Sequence, residues 1–176
     1  MRDSIEPIID GVDLLLAELR LMKSQGPQLM IAHRFRDCGT LCAPGEEIVS
    51  VCLVHRGRLY PLRISLALRM LIDYLAKHSH IPQSASQIEA GIRADMFYAK
   101  HGANAFPHNG LRRRISRSAI KEYVKRLRLA LELAFRQAGL NLDPRNVMAA
   151  EQTVANEVGY RLKATTVWSH DEAGSS

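Results

Sequence analysis

Apolar residues recur at helical spacing in several separate stretches of the chain. Ile5, Ile8, Ile9, Val12, Leu15, Leu16, Leu19 and Met22 repeat at steps of three and four with acids between them, which predicts an amphipathic helix over 5–22. Ser4 is placed to cap it, Pro7 falls in its first turn, and Gln25-Gly26-Pro27 ends it. Residues 29–35 fit a strand or a short helix, and Gly39, Pro44 and Gly45 mark a loop. Over 48–64 the pattern changes to β-branched runs around Arg56-Gly57-Arg58, which predicts a β-hairpin. Pro61 cannot donate to a ladder, which implies an edge position or a broken ladder.

Ser65 caps a predicted helix over 66–78, with Leu68, Leu71, Ile72 and Leu75 inward and Arg69, Asp73 and Lys77 outward. Ser86 and Glu89 have capping-box spacing for the next helix, whose stripe is Ile88, Ile92 and Met96 and which Gly91 weakens. A long loop, 97–115, leads to the longest helical pattern. There Ile120, Val124, Leu127, Leu131 and Ala134 form one apolar stripe, Ser116 or Ser118 caps the start, and Gly139 closes the end. A turn over 142–146, a strand at 147–149 and a final hairpin from Thr153-Val154 and 158–164 follow, with a tail over 169–176.

Charge changes the reading of the long helix. The formal net charge is +6 over 176 residues, and the stretch 112–138 alone holds nine Lys/Arg against two acids. The basic character is therefore local: Arg112, Arg113, Arg114, Arg117, Lys121, Lys125, Arg126, Arg128 and Arg136 against Glu122 and Glu132. Such a patch on one helix is the footprint of a polyanion binder. A sequence pI of about 9.5 favours nucleic acid or an anionic surface. No apolar run reaches membrane-spanning length, and the acidic polar face of 5–22 argues against a membrane-surface helix. The acids near the N-terminus do not fit a signal peptide, and an odd count of three Cys supplies no disulfide framework, so a reducing, cytoplasmic setting is expected. Size and the lack of targeting signals suggest a bacterial or phage-borne chain.

Chemistry for catalysis is sparse. Seven His and scattered Ser and Asp form no nucleophile–base motif, and His33-x2-Arg36 with Tyr160 lacks the remaining pattern of a tyrosine recombinase. No enzyme is expected. Cys38, Cys42, Cys52 and His55 have the count for a zinc set, but on a strand Cys52 and His55 point to opposite faces, so no metal or other cofactor is expected. Few aromatics are available for stacking, which disfavours single-strand or RNA binding.

Two helices, a longer basic helix and a hairpin make the plan of a winged helix-turn-helix, whose third helix lies in the major groove. Residues 46–168 resemble the winged-helix output domain of OmpR/PhoB-type response regulators. The resemblance is carried by Ile64-Ser65 with Leu68, Leu71, Ile72 and Leu75, by Val124-x-Arg126-Leu127-Arg128 with Ala130-Leu131, and by Thr153-Val154 with Gly159-Tyr160-Arg161-Leu162. It implies an α+β fold, mainly α, with an N-terminal β-hairpin or sheet preceded by the amphipathic helix. Residues 1–45 then form that helix and a linker, 46–168 the winged-helix domain and 169–176 the tail, with no phospho-acceptor domain in this chain. Where several family members have an Arg two residues after the wing Thr, this sequence has Ala155, followed by Asn156 and Glu157, which leaves Asn156 as the wing-tip candidate.

The resulting expectation is a sequence-specific double-stranded DNA-binding transcription regulator. Ser118, Lys121, Glu122 and Lys125 face the bases, and the resemblance adds Arg126. Arg112, Arg113, Arg114, Arg117 and Arg128, with Thr153 and Lys163 of the wing, serve phosphates. Glu122 either accepts from a cytosine amino group or pairs with Arg126. The helix over 5–22 either packs on its own domain or joins a homodimer through Ile5, Ile8, Ile9, Val12, Leu15, Leu16 and Leu19. RNA polymerase or a regulatory protein is the further candidate partner. A protein-interaction adaptor on the same fold and a non-specific architectural DNA-binding protein are the alternatives.

Overall fold

Residues 27–32, 47–96, 98–99 and 115–169 are described by the structure, a computed structural model. Strand β1 (Gln28–Ala32) is followed by the hairpin of β2 (Glu47–His55) and β3 (Arg58–Ser65). Arg56 and Gly57 turn that hairpin with φ of 50° and 72°. Both values are positive, as a two-residue turn matched to strand twist requires, and glycine tolerates its position at no steric cost. Pro61 lies on β3, at the edge of a four-stranded sheet ordered β3-β2-β1-β7, where β7 is Thr165–Ser169. The edge placement leaves its missing N–H without consequence.

Two expectations about the sheet change. Residues 28–32 are a strand, antiparallel to β2 and parallel to β7, with Leu29 and Ile31 fully buried. The folded unit therefore begins well before residue 46, and part of the expected linker is an interior strand. At the other end, Thr165–Ser169 is a strand where no element was expected, taking in the first residue of the expected tail, and it closes the sheet on the far side of β1.

Helix α1 (Leu66–Lys77) starts at Ser65, whose hydroxyl accepts from the Leu68 N–H at 3.5 Å. Leu68, Leu71, Ile72 and Leu75 enter the core. Arg69 and Asp73, expected outward, are buried at 1% and 6% exposure. They pair with each other at 3.2 Å one turn apart, and the Arg69 guanidinium carbon lies 6.0 Å from the centre of the Trp168 ring. Trp168 belongs to β7, the strand the pattern did not reveal, so the face of α1 read as solvent-exposed carries part of the fold.

A two-residue strand β4 (Gln83–Ser84) leads into helix α2 (Ala85–Ala94). The capping box forms, but with other residues than expected. Ser84 accepts from the Gln87 N–H at 3.3 Å and the Gln87 side chain accepts from the Ser84 N–H at 2.8 Å. β4 holds Ser84 extended, which makes Gln87, rather than Glu89, the third helical residue. Ile88 and Ile92 are buried as read, whereas Met96 is 88% exposed because α2 has ended. Gly91 is a close-approach residue: a Cβ on it would lie 2.0 Å from the Tyr74 ring of α1.

Helix α3 (Arg117–Gln137) is capped by Ser116, which accepts from the Ala119 N–H at 3.3 Å. Ser118 is inside the helix, with its hydroxyl 3.1 Å from that of Ser116. Ile120, Val124, Leu127, Leu131, Ala134 and Phe135 are buried. At the far end Gly139 takes φ +68°, so that its N–H reaches the Arg136 carbonyl and the Leu140 N–H the Phe135 carbonyl, satisfying two orphan acceptors. The turn expected over 142–146 is a single helical turn, α4 (Pro144–Val147), capped by Asp143 with Pro at its start. The strand predicted at 147–149 begins at Met148, and β5 (Met148–Gln152) pairs with β6 (Val158–Leu162). Thr153-Val154 lies in the turn between them instead of in a strand.

Four helices and two sheets make a mixed α/β fold among the described residues. The second sheet is ordered β4-β6-β5. Helices α1, α2 and α3 share one aliphatic core with β1, β2 and β3, and Tyr160 and Leu162 of β6 join it. No helix among the described residues is long and apolar enough to cross a membrane.

Candidate nucleic-acid interface

With its apolar stripe sealed into the core, α3 turns its opposite face outward. Ser118, Lys121, Glu122, Lys125 and Arg126 are all exposed there. Lys121 and Lys125 have no ion pair among the described residues. Arg126 donates from Nε to Glu122 Oε1 at 3.2 Å, so the pairing foreseen as one of two roles for Glu122 is formed. Both side chains are more than half exposed, at 61% and 51%, and an exposed i,i+4 pair of this kind is worth only about 0.3–0.5 kcal/mol. The carboxylate therefore orients the guanidinium without locking it.

Behind this row, Tyr123 is half-buried and its phenol is pushed up by burial, with Tyr98 adding to the shift and Arg126 opposing it. The Tyr98 hydroxyl accepts from the Ile115 N–H at 3.3 Å, and Arg93 donates to the Ile115 carbonyl at 3.0 Å. These contacts fix the approach to α3 just before its cap. Arg117, the first residue of the helix, has its Nε 3.4 Å from Glu89, which also holds Arg93 at 2.8 Å. Arg117 is nonetheless 72% exposed on its side chain, so its charge reaches solvent.

Arg128 differs from the other cations of the helix. It is half-buried and donates from Nε to the Met148 carbonyl at 2.9 Å, tying α3 to the start of β5. Beyond it a crevice of about 500 Å³ is lined by Arg128, Arg145, Asn146, Glu151 and Lys163. A neighbouring cleft of about 590 Å³ runs along the helix between Lys125, Leu129, Arg136 and Arg145.

In the β5–β6 turn the Thr153 hydroxyl accepts from the Glu157 N–H at 3.2 Å, and Asn156 stands at the tip with φ +59°. Asn tolerates that left-handed conformation better than most residues. Lys163, expected to clamp phosphate, has its ammonium against Glu151. Arg161 lies 3.6 Å from the same carboxylate and donates from Nε to the Ser79 carbonyl at 2.7 Å, which joins β6 to the end of α1. The hydrogen bond from Lys163 is the main reason the Glu151 carboxyl stays below its ordinary range; burial opposes the shift, and the charges of Lys163 and Arg161 assist it. To grip a phosphate, Lys163 must leave Glu151.

The triple Arg112, Arg113 and Arg114 and the helix predicted over 5–22 with its dimer positions lie outside the described residues, as do His33, Cys38 and Cys42. Cys52 is half-buried on β2 and its thiol is raised by burial; no group of three or more His, Cys, Asp or Glu suited to a metal is found among the described residues. Arg145 and Glu151 are part of this surface although the pattern did not single them out, and Arg161, named before only within the wing motif, joins them. For Arg145 a signal was present: Asp143-Pro144 is the cap and first position of a helical turn, and Arg145 follows directly.

Comparison of the chain with protein-family models, with curated proteins and with solved structures gives no match.

Proposed function

We propose that this chain is a sequence-specific double-stranded DNA-binding transcription regulator built as a winged helix-turn-helix. In this reading α2 and α3 are the helix pair, α3 enters the major groove, and the β5–β6 hairpin is the wing. The observation that carries it is the outer face of α3, where Lys121 and Lys125 are exposed without an ion pair among the described residues, beside the Arg126–Glu122 pair. Cations left uncompensated on a rigid helix are costly by self-repulsion and are repaid by a polyanion. Arg126 and Glu122 suit base edges, an Arg to guanine and a carboxylate to the cytosine amino group. Arg117 serves a phosphate at the helix start, and the half-buried Arg128 sets the angle between helix and wing.

Selection of bound duplexes from a randomised pool, with the winners rebound at two salt concentrations, tests the reading. An enriched repeat with half-sites about one helical turn apart is the expected result. Binding with no enriched sequence and a steep salt slope makes the protein architectural, and no binding at low salt removes nucleic acid as its partner.

A further inference from the structure

Three cations from three different parts of the fold meet at one crevice. Arg128 comes from α3, Arg145 from α4 and Lys163 from the residue that follows β6, around a space of about 500 Å³. Asn146 and Glu151 complete the polar lining, and the two alanines of β5 contribute only methyl groups, which leave the space open. Like charges brought together in this way repel one another unless an anion lies between them.

The acids nearby do not supply that anion. Glu151 is shared between two cations, with the Lys163 ammonium against it and Arg161 at 3.6 Å, so the trio keeps a net positive charge. Asp143, on the other flank of Arg145, spends an oxygen on the Arg145 backbone N–H at 2.8 Å as the cap of α4. Glu132, in the adjoining cleft, is held by Arg136. The exposed Arg145 guanidinium has no hydrogen bond or ion pair among the described residues. Arg128 spends only its Nε–H, on the Met148 carbonyl at 2.9 Å. That bond fixes the guanidinium and leaves its terminal N–H donors for another acceptor, so little side-chain freedom is lost when an anion arrives. Two guanidinium forks, an ammonium and an amide outnumber the acceptors of one carboxylate. A tetrahedral phosphate group, with oxygens on several sides, matches them.

We propose that this crevice is a phosphate-binding site in which Arg128 and Arg145 grip the oxygens from two sides, Asn146 adds an amide donor, and Lys163 turns from Glu151 to the anion. The phosphate has two sources, a duplex backbone or a free phosphate ester. The first rests on the DNA reading: the strand that separates a major groove filled by α3 from the minor groove beside the β5–β6 hairpin passes between the two elements that flank the crevice. The site itself stands apart from that reading.

Inorganic phosphate titrated into the nitrogen-15-labelled full chain, against chloride at equal ionic strength, tests the site by NMR. The expected result is a set of shifts confined to residues 145–151, residues 161–163 and the Arg128 Nε–H. Arg145→Ala weakens the midpoint about tenfold, the loss of one charge-assisted hydrogen bond, and Arg136→Ala, outside the crevice, leaves it unchanged. Arg145→Gln, which keeps the length of the side chain, replaces the alanine variant if that variant disturbs the fold. A response no larger than that to chloride, shifts spread equally over Lys121, Lys125 and Arg136, or a midpoint that Arg145→Ala does not move overturns the site. For the duplex source, Arg145→Ala is expected to flatten the salt slope by about 0.9 on selected and random DNA alike, one phosphate contact fewer. An unchanged slope with the phosphate response intact overturns the backbone source and assigns the site to a free phosphate ester. A protein that binds no duplex at all ends the DNA reading and leaves the phosphate titration standing.

Discussion

Arg126 reaches back one turn along α3 to the Glu122 carboxylate, at 3.2 Å, on a face that is otherwise basic. The pair uses only the Nε–H and leaves the other four of the five guanidinium N–H donors open, so Arg126 can meet a base while Glu122 steadies it. If Arg126 reads a base, Arg126→Ala lowers affinity for the selected duplex by about 1–3 kcal/mol and relaxes preference at one base position. Glu122→Gln acts in the other direction on random duplex, tightening it because a negative charge is gone from the interface, and narrows the ratio between selected and random DNA. Fluorescence anisotropy on both duplexes measures this. Equal loss on selected and random DNA for Arg126→Ala would reduce it to a phosphate contact.

Gly91 and Tyr74 define how closely α2 approaches α1. In an unconstrained helix Gly→Ala is favourable by about 0.5–1 kcal/mol. Here the added Cβ meets the Tyr74 ring at 2.0 Å, and that ring is held by its hydroxyl on Gln83 at 2.9 Å and by stacking on His78 at 4.4 Å. These two contacts hold the ring against Gly91, so overpacking at about 1–3 kcal/mol outweighs the helix gain. Gly91→Ala is expected to lower the urea midpoint; an unchanged or raised midpoint would mean that the two helices can separate without cost.

How much could be read from the pattern depended on whether an element's cover was local. The stripe of α3 from Ile120 to Ala134, its Ser116 cap and the Gly139 end were legible because a helix writes its buried face and its ends into adjacent residues. The hairpin of β2 and β3 was legible for the same reason, with Arg56-Gly57 marking the turn. β7 was not, since Thr165–Ser169 is short and its partner β1 stands at the opposite end of the chain. Arg69 was misread as a consequence, because charged residues read as outward unless something covers them and Trp168 lies over its guanidinium, and Asp73 is buried as its ion-pair partner. At the candidate site the outward positions of Ser118, Lys121, Glu122 and Lys125 followed from the helical period, and Arg126 was added by the family resemblance. The engagement of Lys163 by Glu151 and of Arg128 by Met148 depends on how the second sheet sits against α3, which no local spacing encodes.

The start of α2 separates two capping frames that differ by two residues. Ser84 is buried and makes both bonds of the box with Gln87, whereas Glu89 is drawn to Arg93 and Arg117. Ser84→Ala is expected to cost about 1 kcal/mol, within the usual range for losing an N-cap, and Ser86→Ala nearly nothing. Thermal or urea unfolding of the two variants side by side decides it. A larger loss for Ser86→Ala would move the helix start two residues downstream.

Glu151 gives the hairpin a pH dependence whose sign follows from its surroundings. Its carboxyl is held below the ordinary carboxylate range, first by the hydrogen bond from Lys163, and a group depressed on folding favours the native state wherever the unfolded chain would already be ionised. The contribution is therefore complete above the ordinary glutamate range and is lost as pH falls through the lowered folded value. Solvent reaches the Lys163 and Glu151 side chains, 42% and 27% exposed, so screening keeps the effect modest. Glu151→Gln should reduce stability at neutral pH and converge on the wild type in acid, and urea midpoints between pH 7 and about pH 3 follow both limbs. The same substitution releases Lys163. On the DNA reading, it should strengthen duplex binding at neutral pH for selected and random sequences alike, because an ammonium freed from a carboxylate meets phosphate without discriminating bases. Loss of binding in Glu151→Gln with the fold intact would mean that the carboxylate positions Lys163 for its contact instead of competing for it.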